Sequence, residues 1–169
     1  MLIMQEEYKT ITGFENYEVS NLGNVRIIKT NKILKGSYNK GYHSVRLSML
    51  GKVSTKLVHR LVACTFLDNP DNKKCVDHID NNKSNNNITN LRFATHSENN
   101  QNASLSSNNT SGHKGVCFES CSQTWNACIK VDGLRINLGF YKNKEDAIQA
   151  RIAKANQLFG VYTNACERI

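Results

Sequence analysis

Between Val76 and Asn102 the chain reads VDHIDNNKSNNNITNLRFATHSENNQN: an Asp-His pair ending a short apolar run, an asparagine-rich tract, then a second apolar run. Cutting a phosphodiester requires an activated water, a cation facing the phosphate and stabilisation of the leaving oxygen. His78 carries an imidazole whose unperturbed pKa is about 6.5, so it can be neutral and take a proton from water, which makes it the candidate general base. Asp77 offers a charged oxygen and Asn99 a neutral one. Such donors suit magnesium, which prefers oxygen, keeps several waters and often uses only one or two protein side chains plus substrate phosphate. The same residues have a plainer reading, with Asp77 and Asp80 as turn carboxylates, the Asn run as Asx-turns and His78 as a surface histidine. Geometry separates the two, because consecutive strand residues point to opposite faces and Asp77 and His78 share a site only where the strand is irregular. His59 reads as a polar helix position and His96 as part of a capping box, so neither is assigned to the reaction.

These residues need elements to hold them. Cys75 to His78 reads as a short strand, 79–90 as a long polar loop, and Leu91 to Ala94 as a second strand. Thr95 opens THSE, a capping box in which Thr95 can bond the Glu98 amide while Glu98 reaches back, so a helix starts there with Asn99 in its first turns. Strand, loop, strand and capped helix make a compact ββα unit. Upstream, YEVSNLGNVRII sets Asn21 to Gly23 as a turn between two strand-like runs, and GYHSVRLSMLGKVSTKLV alternates around Gly51. VHRLVACTF then spaces Val58, Leu61, Val62 and Thr65 as a helix.

Charge is spread unevenly over the 169 residues, whose formal net charge is +8. Residues 1–70 carry 10 Lys and Arg against 5 Asp and Glu, residues 71–112 carry 4 against 4, and residues 113–169 carry 8 against 5. Basic flanks around a neutral centre suit a protein that grips a polyanion at both ends and keeps carboxylates for chemistry in the middle. No stretch nears the roughly 20 apolar residues of a membrane span, and MLIMQEEYKT is not a secretory leader, so an intracellular, soluble protein is expected. The six cysteines contain no CxxC pair, which favours free thiols over disulfides or structural zinc.

ASLSSNNTSG, residues 103–112, reads as a flexible or extended linker. Beyond it KGVCF, WNACIKV and RINLGFY alternate apolar and polar residues, with Asp132-Gly133 as the turn between the last two. Asn143 offers a helix cap, and Ile148, Ile152, Ala155 and Phe159 recur at helical spacing up to Gly160. Three antiparallel strands on one helix bury both apolar faces. Alternation puts Val116, Trp125, Ala127, Ile129, Val131, Ile136, Leu138 and Phe140 on the core face, and Lys114, Asn126, Lys130, Arg135 and Asn137 on the other. A sheet can enter a major groove about 12 Å wide, so the second face is the candidate nucleic-acid face.

VDHIDNNKSNNNITNLR followed by SENN resembles the ββα-metal site of the HNH homing endonucleases, especially the intron- or phage-encoded type whose first motif reads Asp-His. ITGFENYEVSNLGNVR with VHRLVA resembles the modular segment preceding such sites, with Tyr8 where that family often has Trp. SGHKGV, with the later Trp125, LGF and EDAIQA, resembles the plant ethylene-response-factor DNA-binding domain, which also occurs fused to HNH nucleases; Cys117 and Cys128 stand where charged or polar readers are frequent there. The resemblance implies Asp77 and Asn99 as metal ligands, His78 as base, Asn90 as the central Asn bracing the loop, and Lys114, Asn126, Lys130, Arg135 and Asn137 as DNA contacts. It implies Mg²⁺ as cofactor, with Mn²⁺ as the alternative, and double-stranded DNA as partner. The expected architecture is α+β: a hairpin-rich module (1–70), the catalytic motif (71–104), a linker (105–112), and a three-stranded antiparallel sheet packed on one helix (113–169). The expected function is site-specific DNA cleavage by a monomer that nicks one strand, working inside a phage, viral or host compartment. A DNA-binding regulator with a vestigial HNH motif is the alternative.

Overall fold

Asn21 to Gly23 reverses the chain between two apolar runs, with the Ser20 amide donating to the Asn24 carbonyl at 2.8 Å. Turns of this kind cut the N-terminal part into hairpins. The computed structural model describes residues 5–168, and after Thr95 the chain divides into two compact units. Each combines small antiparallel sheets with few helices, so the α+β expectation holds.

In the first unit, β1 (Tyr8–Ile11), β2 (Phe14–Ser20), β3 (Val25–Ile27) and β4 (Lys32–Ile33) form one antiparallel sheet in that order. A second sheet contains β5 (Ser37–Asn39), β6 (Tyr42–Met49) and β7 (Lys52–Leu57). Its two connections are the residue pairs Lys40-Gly41 and Leu50-Gly51, all four at positive φ, the geometry that matches strand twist in a two-residue hairpin. Helix α1 (Val58–Phe66) follows at once, then the hairpin of β8 (Cys75–His78) and β9 (Leu91–Ala94). Val58, Leu61 and Val62 of α1 enter a core with Ile11, Val19, Val25, Val45, Leu47 and Leu91. Leu91 thus anchors the β8–β9 hairpin in the same apolar cluster as both sheets, and burying each such side chain stabilises the unit by about 1.5–3 kcal/mol.

The second unit begins with α2 (His96–Asn102), directly after Thr95 and with Glu98 of the Thr95-x-x-Glu98 pattern in its first turn. Strands β10 (Val116–Glu119), β11 (Thr124–Val131) and β12 (Leu134–Tyr141) pair in sequence order, and α3 (Lys144–Phe159) packs on them. The core is Val116, Ala127, Ala147 and Ile148 with Trp125, Leu138, Tyr141 and Ile152 against it. Two core-face expectations of the alternation fail: Ile136, which is 40 % exposed although it lies opposite Ile129, and Phe140. The register runs Ala127↔Gly139 but Cys128↔Asn137, leaving Leu138 unpaired as a bulge, and one extra residue exchanges the faces of everything beyond it. Phe140 therefore lies opposite Asn126 and is 59 % exposed, while Tyr141 takes the core place opposite Trp125. Residues 103–112 form no regular element, but they are not an open tether. Asn109 Oδ1 accepts from the Gly112 amide at 2.6 Å, its Nδ2 donates to the His113 carbonyl at 2.8 Å, and Ser111 is buried. Among the described residues no helix is long and apolar enough to cross a membrane.

Candidate active site

Hairpin β8–β9 presents the Asp-His pair. The ladder is regular, Asp77↔Arg92 and His78↔Leu91, so no irregularity lies between the two residues and their side chains leave on opposite faces. The chain changes direction only after His78, where the Asn81 amide donates to the His78 carbonyl at 2.9 Å and Asn81 takes φ +62°. Both side chains are buried, Asp77 at 4 % exposure and His78 at 6 %. Asp77 Oδ2 accepts from Arg92 Nε at 2.8 Å and pairs with its Nη2 at 2.7 Å. Both contacts fall on one carboxylate oxygen, a charge-assisted pair that holds Oδ2.

His78 Nε2 lies 3.2 Å from Asn86 Oδ1. A carbonyl oxygen only accepts, so in this contact Nε2 is the donor and Asn86 orients the ring. The imidazole packs against His59 of α1, ring centroids 5.0 Å apart, and Tyr42 of β6 completes a three-ring wall at 5.2 Å from His59 and 6.1 Å from His78. Lys83 Nζ sits 4.8 Å above the Tyr42 ring. His59 is itself buried; burial first, then the charges of His78 and Arg60, push its pKa down to about 4. It is a neutral ring in the wall at any pH near 7. Residue types did not assign His59 to this place, although a signal existed: His59, Val62, Ala63 and Phe66 fall at i, i+3, i+4 and i+7, a second stripe along α1 whose other members are apolar.

The asparagine tract is a self-bonded loop. Asn90 Nδ2 donates to Asp80 Oδ1 at 2.8 Å and to the Asn85 carbonyl at 2.9 Å, while its Oδ1 accepts from the Asp80 amide at 3.0 Å. One side chain thereby ties the first residues of the loop to the last. Burial opposes the charge on Asp80, yet hydrogen bonds from Asn85, Asn82 and Asn90 outweigh it and hold the carboxyl below its ordinary value. Asn82 and Asn87 close Asx-turns on Ser84 and Thr89.

Asn86 is braced from the N-terminal hairpins, a second feature the residue pattern did not reveal. Gly23 takes φ +91°, and a Cβ there would stand 2.7 Å from Asn86 Cβ. The Ile88 amide donates to the Asn21 carbonyl at 2.8 Å, and Asn21 is held by the Glu7 amide and the Gln5 carbonyl. The Asn-Leu-Gly turn is therefore the seat of the loop that orients His78.

Asp77, His78 and Asn90 belong to the first unit; Asn99 lies on α2 in the second. On α2, Ser97 Oγ donates to Asp132 Oδ1 and Gln101 Nε2 to the Lys130 carbonyl, both at 3.1 Å, so that side meets the β11–β12 hairpin. At 100° per residue Asn99 lies about 200° round from each, on the other side of the helix. Of the residues expected on the nucleic-acid face, Lys130, Arg135 and Asn137 are exposed and Asn126 is buried. Asn126 Oδ1 accepts from Arg135 Nη2 at 3.0 Å and its Nδ2 donates to Asn137 Oδ1 at 2.9 Å, which orients both neighbours. Lys114 is half-buried and turns to α2: its Nζ donates to the Gln101 and Ala103 carbonyls, each at 2.7 Å. Lys114, Lys130 and Arg135 border a cleft of about 940 Å³ that also takes in Arg151.

Comparison with known proteins matches this geometry to two family descriptions. Residues 56–101 match the HNH endonuclease family, and residues 6–48 match the NUMOD4 motif. The chain is 53 % identical over 72 residues to an uncharacterised HNH endonuclease of Acanthamoeba polyphaga mimivirus, covering 41 % of this chain and 18 % of the relative. It is 47 % identical over 74 residues to the DNA endonuclease I-HmuI of Bacillus phage SP01, covering 43 % of this chain and 42 % of that protein. The solved structure describing DNA binding and cleavage by the HNH homing endonuclease I-HmuI superposes with TM-score 0.54 and 47 % identity, over 57 % of this chain and 56 % of that one. The chain thus spans less than half the length of these curated relatives, and neither family match reaches past Gln101. The segment that holds Asp77, His78, Asn90 and Asn99 is the one that matches the HNH endonuclease family description and is similar to I-HmuI.

Proposed function

We propose that the chain is a divalent-metal-dependent DNA endonuclease of the HNH homing type, acting inside the cell as a monomer and nicking one strand per engagement. The observation that carries this is the buried His78 ring, oriented by the contact of Nε2 with Asn86, inside a segment matched to HNH endonucleases. His78 takes a proton from water while Asn86 and the wall of His59 and Tyr42 hold the ring in place. Asn90 keeps the loop closed around that geometry.

By their places in the motif, Asp77 and Asn99 are the metal ligands. The donor set fits a hard ion such as Mg²⁺ or Mn²⁺, since both supply oxygen and Arg92 holds Oδ2 of Asp77, as outer partners of ligands do. Bound there, the ion polarises the phosphate and offsets charge on the leaving 3′ oxygen. Residues 113–169 serve as an ethylene-response-factor-like DNA-binding domain whose sheet face meets DNA through Lys130 and Arg135, with Asn126 orienting Arg135 and Asn137.

A second reading is a DNA-binding regulator that keeps the motif for its fold. The regular ladder and the Asp77–Arg92 pair favour it, because a structural carboxylate would make the same bonds. Relaxation of supercoiled plasmid with Mg²⁺, compared with EDTA and with His78→Ala, separates the two. Metal-dependent nicking that disappears in the variant supports the nuclease; binding without nicking supports the regulator.

A further inference from the structure

Helix α2 has seven residues, and helices shorter than about 12 residues are marginal without outside support. Its support comes from the other end of the second unit. Lys114 Nζ donates to the carbonyls of Gln101 and Ala103, placing a positive charge where the last carbonyls of the helix carry partial negative charge. Asn164 Nδ2 donates to the Asn102 carbonyl and, at 3.2 Å, to that of Ala103, while its Oδ1 accepts from the Cys166 amide at 3.1 Å. The Asn164 segment is fixed in turn: Thr163 Oγ1 donates to the Ala155 carbonyl of α3 at 3.2 Å, and Glu167 pairs with Arg151 of α3 at 3.2 Å, both charged groups being buried. Burial lowers the Lys114 pKa and the Glu167 carboxylate works against that, so the ammonium is held within the fold. Residues 163–167 are therefore a strut from α3 to the end of α2.

We propose that Lys114 and Asn164 are positioning residues for the nuclease reaction: by clamping the C-terminal end of α2 they fix the helix that carries Asn99. This rests on the reading of Asn99 as a metal ligand. It assigns the C-terminal domain a part in catalysis beyond holding DNA, and it gives Lys114 a helix to hold in place of a phosphate. Since Ser97 and Gln101 bond to Asp132 and Lys130, the hairpin proposed to meet DNA and the helix proposed to meet metal move as one piece.

The test uses the full chain and Lys114→Met, Lys114→Arg, Asn164→Ala and Lys130→Met. Three quantities are read: amide hydrogen exchange over residues 96–103 without metal or DNA, the Mn²⁺ concentration giving half-maximal nicking, and the salt dependence of DNA binding without metal. Lys114→Met and Asn164→Ala are expected to speed exchange in α2 while leaving α3 and the sheet protected, and to raise the Mn²⁺ midpoint about 10-fold or more, the usual effect of losing a residue behind a metal ligand. Lys114→Arg, which keeps the charge, restores most of both. Lys130→Met instead lowers the salt slope by about 0.9, one phosphate contact, without moving the Mn²⁺ midpoint. Unchanged α2 exchange in Lys114→Met and Asn164→Ala overturns the proposal. So does a Lys114→Met that loses salt slope alone, or loss of protection throughout the unit in both variants. If the unaltered protein cuts nothing with any divalent ion, the nuclease reading fails, and the exchange experiment still decides whether the clamp holds α2.

Discussion

His59 gives the pH dependence its sharpest test. Its folded pKa of about 4 lies below the ordinary histidine value near 6.5, because burial, then His78 and Arg60, disfavour the charged ring. For a base with a depressed pKa the unfolded chain binds more protons, so stability is complete above about pH 6.5 and falls as pH drops toward the folded value. Over the whole window the difference of 2.5 pKa units is worth about 3 kcal/mol at 1.36 kcal/mol per unit. Between pH 7 and pH 5 it is about 2 kcal/mol. The assay is urea unfolding by circular dichroism at both pH values, for the unaltered protein and for His59→Gln, which cannot titrate. Glu167, whose carboxyl burial pushes up, works in the opposite sense as pH falls, but it is common to both proteins and cancels. The unaltered protein should lose about 2 kcal/mol more than His59→Gln on acidification. An equal loss in both would refute the placement of His59 as a buried neutral ring.

Further outcomes follow from the site. His78→Ala should lower the nicking rate by about 10²–10⁴-fold, the usual worth of a general base, with DNA affinity nearly unchanged in a filter-binding assay. Excess Mn²⁺ should partly rescue Asn99→Ala but not Asp77→Ala in the plasmid assay, because losing the amide leaves a charged ligand whereas losing the carboxylate removes charge and ligand together. Gly23→Ala should cost about 1–2 kcal/mol from backbone strain. By pushing Asn86 off His78 it should also lower kcat by up to about 10²-fold without altering DNA affinity, which single-turnover kinetics would separate. A chain ending at Gly112 keeps Asp77, His78 and Asn99 yet lacks Lys114 and Asn164; it should nick poorly even at high enzyme and low salt, and full nicking under those conditions would show α2 needs no clamp.

The parts of the site that were legible in the sequence are those a local pattern specifies. Thr95-x-x-Glu98 marks the start of α2, and the XG pairs at Lys40, Leu50 and Asp132 mark the hairpins, because turn and cap chemistry acts over a few residues. Asp77 and His78 stand out as an adjacent carboxylate and imidazole, whereas Asn90 is marked out from its asparagine neighbours by the family resemblance alone. What stayed hidden depends on contacts across the chain: Gly23 under Asn86, His59 against His78, and Lys114 with Asn164 at the end of α2. The bulge at Leu138 is hidden for a different reason. Leu138, Phe140 and Tyr141 are all apolar enough to fill a core place, so the alternation reads equally well with or without the extra residue, and only the pairing with β11 settles it.

A loop so rich in asparagine beside an ionisable pair looks at first like a choice between solvation and chemistry, and the bonds join the two. A twelve-residue connection with little apolar content has no core of its own to hold it. Asx-turns at Asn82 and Asn87 and the three bonds of Asn90 satisfy its backbone locally, so it is ordered without burying much surface. Order is what lets Asn86 stand where it meets His78, and a looser loop would leave the ring direction unfixed. Asparagine suits the task better than aspartate because it donates as well as accepts and adds no negative charge beside Asp77 and Asp80. Apolar residues would have secured the loop only by pulling it into the core, away from any substrate. The polar loop is therefore the means by which a short, exposed segment holds the buried His78 ring in one orientation.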